Sequence, residues 1–254
     1  MSELLETAQR QAAVTADTAH RPWPLPERPW ALAQTWADLL FVHWPVDAGQ
    51  LRPHVPDGLE LDVRDGQAWL GATPFRLEGL RLRGTVPLPY VSSWLEINVR
   101  TYVTRDGRPG IWFLSLDATS QAAVEVARRV YRLPYHHMRA SYEERGLFLR
   151  WRSSRTDAAR PYVFEASYRA VDTPAPAAPG SLAAFLTERY CLYAAHRGEL
   201  YRAEIHHPPW SLQAAKLELD LTTMTPDGID LPGDAPLAHF SAQQDVVLWR
   251  LERA

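Results

Sequence analysis

Trp94-Leu-Glu-Ile-Asn-Val-Arg-Thr-Tyr-Val103 is the stretch from which the fold can be read. Successive side chains of a strand point to opposite faces, so Trp94, Glu96, Asn98, Arg100 and Tyr102 share one face and Leu95, Ile97, Val99, Thr101 and Val103 the other. The second face suits a core. The first mixes an acid, an amide, a guanidinium and two aromatic rings, which suits either a ligand wall or a structural ion pair between Glu96 and Arg100. Asp106-Gly107 is a hairpin signal, because both residues tolerate the positive φ that a tight turn requires. Pro109 to Ala118 then returns as a partner strand, apolar on nearly every residue and expected to be buried on both faces.

Beyond this hairpin the hydrophobic period changes. Ser120 can cap a helix in which Ala123, Val126, Ala127, Val130 and Tyr131 form an apolar stripe, while Glu125 and Arg129 make an i,i+4 pair on the wet side. Pro134 forces Leu133 out of helical conformation. Tyr135-His136-His137-Met138 follows, a phenol and two imidazoles emerging from a proline corner, and this corner and the Glu96/Arg100 face are expected to be the two halves of one candidate site. His136 or Tyr135 could then act as a general acid or base beside Glu96.

Further from the centre, the apolar and aromatic text from Trp30 to Pro45 predicts a buried strand preceded by a turn at Ala37-Asp38, and Asp47 caps a short helix. Strands are expected at Leu59 to Val63 and Gln67 to Phe75, with a mobile loop over residues 76–93 that includes Pro87 and Pro89. More strands are expected at Met138 to Tyr142, Leu147 to Ser153, Tyr162 to Ala170, Arg189 to Ala195 and Glu199 to Ile205. Two more follow at Lys216 to Thr223 and Asp245 to Leu251, and Ser181 caps a helix through Glu188. Many short strands with few helices predict an α+β domain on a mainly antiparallel, barrel-like sheet. Residues 1–29 read as an N-terminal arm with a Pro/Trp-rich tether, and 30–254 as a single domain.

Composition narrows the function. A net charge of −3 gives no basic excess for nucleic acid, and no apolar run is long enough to span a membrane. A small-molecule ligand is the expected partner. Of 27 basic residues only Lys216 is lysine. The single cysteine, Cys191, leaves no intramolecular disulfide to form, and with no apolar leader near Met1 the expected location is the cytoplasm. Phosphate loops, dinucleotide fingerprints and Gly-x-Ser-x-Gly elbows are missing, so no cofactor is expected. No metal is expected either: adjacent histidines such as His136-His137 and His206-His207 point oppositely in extended chain and lack a partner at ligand spacing. Ten tryptophans and 21 prolines favour aromatic-walled interiors, with Trp44, Trp69 and Trp94 as candidate pocket walls. The Pro/Trp segment at residues 22–30 is a candidate contact between copies in a homo-oligomer.

Trp36-Ala-Asp-Leu-Leu-Phe-Val-His-Trp-Pro45, Glu96-Ile-Asn-Val-Arg-Thr-Tyr-Val103, Leu133-Pro-Tyr135, Leu186-Thr-Glu-Arg-Tyr-Cys-Leu-Tyr193 and His206-His-Pro-Pro-Trp210 resemble the YqjF-like family, the domain of unknown function numbered 2071. More remotely, the layout is similar to acetoacetate decarboxylase. That resemblance implies a closed, cone-like β-barrel with an inward active site. It also implies that Glu96 matches the strand acid, Arg128 the helix arginine, Pro134 the corner proline, and Tyr135 and His136 the two corner lysines. With no amine at Tyr135, Schiff-base decarboxylation is not expected. Two functional classes stay open. One is a lyase or isomerase acting on small carbonyl or aromatic compounds, with Glu96 and either Tyr135 or His136 moving protons and Arg100 or Arg128, beside Asn98, holding the ligand. The other is a non-catalytic metabolite sensor or scaffold using the same pocket.

Overall fold

The computed structural model describes residues 2–88, 91–157 and 159–254. Among them thirteen strands join into one sheet. In chain order these are β1 (Leu32–Val46), β2 (Glu60–Leu61), β3 (Ala68–Leu82), β4 (Trp94–Arg105), β5 (Arg108–Ala118), β6 (Tyr135–Arg145) and β7 (Phe148–Arg155). They continue as β8 (Val163–Ala170), β9 (Cys191–His196), β10 (Glu199–His206), β11 (Gln213–Thr222), β12 (Leu237–Leu248) and β13 (Glu252–Arg253). Helices α1 (Ser2–Ala13), α2 (Ala48–Leu51), α3 (Gln121–Val130) and α4 (Leu182–Thr187) decorate it, and none is long and apolar enough to cross a membrane.

The strand pairings close into two rings that share the wall β12-β1-β3-β4-β5. One ring runs through β6, β7, β8 and β11, the other through β9 and β10. The sheet is mainly antiparallel, as expected, but mixed: β6 and β9 both run parallel to β5. For β6 the reason is α3, a helical crossover that returns the chain in its original direction. β6 and β9 divide one edge of β5 between them, β9 pairing at Ile111–Trp112 and β6 at Leu116–Ala118.

The shared wall has a core on each side, as the β4 alternation requires. Ile97 and Val99 pack with Met138, Trp151, Phe164 and Tyr168 of the first ring. On the opposite side Ile111, Phe113 and Leu116 pack with Leu192, Ile205 and Leu248 of the second. The β4–β5 hairpin turns at Asp106-Gly107, both with positive φ, as their residue types favour.

Three expectations change in ways that bear on the cavity. The strand expected to end at Phe75 runs on to Leu82, so most of the first half of the predicted 76–93 loop is ladder; Pro89 of that loop lies outside the described residues. The predicted turn at Ala37-Asp38 is a β-bulge inside a continuous strand, with Asp38 at φ 50° and its carboxylate 2.8 Å from Arg76. The apolar stripe of α3 is not packed as a core face: Val124 is the helix's buried residue, whereas Val126 and Val130 are 60% and 56% exposed. α1 docks on the sheet through Gln11, which donates to Thr35 Oγ1 and the Gly79 carbonyl, and Arg21 is ion-paired to Glu204 at 3.0 Å.

Candidate functional site

On the second-ring side, between the shared wall and α3, lies a cavity of about 570 Å³. That is within the 300–1,000 Å³ range usual for small-molecule sites. Its walls are chiefly apolar, among them Leu77, Phe113, Leu116, Leu133, Ile205 and Leu248. The polar lining includes a file along β4 (Trp94, Glu96, Asn98 and Arg100) together with Gln34 of β1, Thr73 of β3 and Tyr135 of β6. The mouth carries Val91, Ser93 and the small side chains of α3, Ala122, Ala123 and Ala127.

Glu96 is the chemical centre of this file. It is 3% exposed, and its two oxygens accept from different elements: Oε1 from the Tyr135 hydroxyl at 2.9 Å, Oε2 from Trp94 Nε1 at 2.9 Å. Burial disfavours the charged carboxylate and outweighs the two donors, and Asp117 adds repulsion, so the pKa rises to about 7. Tyr135 is pushed well above its ordinary value, first by burial and then by the adjacent Glu96, and stays protonated. The two residues meet because Tyr135 is in register with Leu116 on β5, and Leu116 faces the cavity.

Arg100 does not pair with Glu96. Its Nη2 donates to the Leu186 carbonyl at 3.3 Å, and its guanidinium carbon lies 5.2 Å from the centre of the Phe41 ring. Asn98, between the two, accepts a hydrogen bond from the Thr73 hydroxyl. At the far end His43 and Tyr102 are fully buried and hydrogen-bonded at 2.7 Å. Burial, then Arg100, pushes the His43 pKa well down.

Four of the expected site residues lie elsewhere. Trp44 belongs to the opposite core, because the extra residue at the Asp38 bulge exchanges the faces of β1: Gln34 and Trp36 line the cavity before it and Leu39 after it, which turns Leu40, Val42 and Trp44 away. Trp69 is on the cavity side of β3 but beyond its end, two residues past Gly71, the partner of Arg100. His136 is in register with Asp117, so it faces away from Tyr135's side, with Nδ1 3.8 Å from Asp157. Arg128 stays outside the cavity and donates from Nε to the Tyr135 carbonyl at 2.6 Å, holding the backbone of that residue rather than a ligand. Among the described residues no three histidine, cysteine, aspartate or glutamate side chains are grouped to hold a metal ion.

The profile of DUF2071, described as an uncharacterized conserved protein, matches residues 33–245. The chain belongs to the DUF2071 family. It is 44% identical over 230 residues to "Uncharacterized protein YqjF" of Bacillus subtilis strain 168, covering 90% of this chain and 95% of that one. Acetoacetate decarboxylase from Legionella pneumophila superposes with a TM-score of 0.62 at 12% identity, over 95% of each chain. The enduracididine biosynthesis enzyme MppR, solved in complex with pyruvate, superposes with a TM-score of 0.59 at 13% identity, over 92% of this chain and 93% of its own. At such identities the likeness is one of fold, and the fold is acetoacetate-decarboxylase-like.

In this DUF2071 chain the only lysine, Lys216, is exposed on β11 beside Glu218 and does not line the cavity. No lysine amine is therefore available there for an iminium. What the cavity does offer is a proton acceptor poised near neutrality, a phenol donor attached to it and a guanidinium further along the wall. The alternation of residues 94–103 revealed most of this polar file. It did not reveal Thr73 on β3 or the lining role of the α3 alanines. The only local hint of the latter was the small size of the residues on that helix face.

Proposed function

We propose that this DUF2071 protein binds a small carbonyl or aromatic acid and moves a proton at a carbon next to a carbonyl, a lyase or isomerase reaction with no covalent intermediate. The observation that supports this reading is the Glu96 carboxyl, with a pKa of about 7, buried in the cavity and held by Trp94 and Tyr135. A base whose pKa lies near the operating pH is abundant in both protonation states, which is what general acid–base catalysis requires. In the forward step Glu96 takes a proton from the α-carbon, and the electron pair left behind moves onto the carbonyl oxygen as an enolate. Tyr135, kept protonated, donates to the Glu96 carboxylate before the transfer and is released to donate to the enolate after it. Arg100 supplies the positive charge for an acidic group on the ligand. We read the paired ring of strands as a closed, cone-like barrel that keeps water from the enolate.

The test is deuterium exchange. Incubating the protein in D2O with enolisable oxo acids and aryl ketones, and following the α-proton signals by NMR, should show exchange that Glu96→Gln abolishes while binding persists. Exchange undiminished in the variant would remove Glu96 from the mechanism. Binding without exchange in either protein would assign the cavity to a metabolite sensor.

A further inference from the structure

Glu96 and Arg100 share the cavity face of β4 yet are anchored in opposite directions. At about 3.3 Å per residue their Cα atoms stand roughly 13 Å apart. Glu96 is drawn toward Tyr135 and Trp94. Arg100 leans the other way, toward the Leu186 carbonyl and the Phe41 and Tyr102 rings, whose centres lie 5.2 and 5.7 Å from its guanidinium carbon. Asn98 and Thr73 occupy the interval and are hydrogen-bonded to each other.

Arg100 is also incompletely satisfied. It is 6% exposed, the Leu186 carbonyl is its one hydrogen-bond acceptor among the described residues, and its buried Nε has none. A guanidinium withdrawn from water with a single long bond to a neutral acceptor is costly, and a carboxylate is the partner whose geometry its planar fork fits. Apolar side chains line the cavity along the interval: Phe75 is the β3 partner of Glu96, and Leu116 and Phe113 are the β5 partners of Asn98 and Arg100.

Two poles set this far apart limit the ligand's shape. Because the side chains lean apart, their tips stand at least as far apart as these Cα atoms, and allowing one hydrogen-bond length of about 3 Å at each pole leaves at least roughly 7 Å for the ligand itself. An extended chain covers roughly 3.3–3.6 Å in three bonds, so about six bonds is the shortest spacer that bridges that gap. We infer that, given the proton-transfer reading above, the ligand is an elongated carboxylate: the carboxylate sits on Arg100, a carbonyl sits at Glu96, and an apolar spacer of at least about six bonds joins them. A linear oxo-alkanoate or a para-substituted aryl carboxylate has this form. A 3-oxo acid is too short to touch both poles.

Calorimetric titration of the unaltered protein with the methyl-ketone acids from 3-oxobutanoate to 7-oxooctanoate, and with 4-acetylbenzoate, each beside its methyl ester, tests this. The longest acids should bind at least about tenfold more tightly than the shortest, and esterification should cost them about tenfold, the equivalent of about 1.4 kcal/mol. Arg100→Gln should erase both differences, whereas Glu96→Gln should keep the preference for acid over ester. If Arg100→Gln fails to fold, the acid and ester pairs on the unaltered protein still decide. Equal binding of shortest and longest acids, or of acids and esters, overturns the inference. Tight binding of short acids with exchange that depends on Glu96 would retire the spacer and keep the proton-transfer reading. Acid-selective binding of long ligands with no exchange would do the reverse.

Discussion

Replacing Glu96 by glutamine should stabilise the protein, and by an amount that depends on pH. The carboxyl has a pKa of about 7 in the fold against an ordinary value of 4.5. Between these two values the native state holds a proton that the unfolded chain has released, so stability falls as pH rises. The cost is absent below the lower value and complete above the higher. At about 1.4 kcal/mol per unit it amounts to about 3 kcal/mol. The glutamine amide does not titrate, yet its carbonyl can accept from Trp94 Nε1 and its NH2 can donate to the Tyr135 oxygen, so both native contacts have a counterpart. Urea unfolding of the parent and Glu96→Gln across the range from about pH 5 to about pH 8 reads the gap directly. The variant should gain on the parent as pH rises and level off above neutrality. A gap that stays constant, or shrinks with rising pH, would refute the claim that burial of this carboxyl controls its charge. A residue that destabilises its own fold at working pH is the kind of compromise that active sites retain.

Tyr135→Phe removes a donor that favours the Glu96 carboxylate, so its pKa should move further up from about 7; carbon-13 NMR titration of the glutamate carboxyls measures the direction, and a downward shift would contradict the assignment. Gly71→Ala places a Cβ 3.1 Å from His43 Cδ2 and 3.4 Å from Arg100 Cγ. The variant should lose about 1–3 kcal/mol in chemical denaturation and bind carboxylates less tightly, since the arginine must shift. Ser120→Ala deletes the side-chain cap on the Ala123 amide and should cost about 1 kcal/mol by thermal unfolding. Faster amide exchange confined to α3 would place that loss at the mouth of the cavity.

Signals that act over a few residues were legible from the sequence. The alternation of Trp94 to Val103 sorted the polar file from the core. Asp106-Gly107 set the hairpin, Ser120 began the helix, and Pro134 marked the corner from which Tyr135 reaches Glu96. Each works through backbone dihedrals or side-chain period, which depend on near neighbours alone. The remainder depended on how distant segments pair. The Asp38 signal was visible as a break, but whether a residue with positive φ makes a turn or a bulge depends on the strands beside it. Here β3 and β12 flank it, and the resulting exchange of faces sends Trp44 to the opposite core. Which of Tyr135 and His136 faces the cavity is likewise set by parallel register against Leu116 and Asp117, about twenty residues away in sequence. The pKa of Glu96 belongs to the tertiary structure altogether. Sequence supplies the carboxyl, but only the closing of two rings around a shared wall removes the water that would have kept it an ordinary acid.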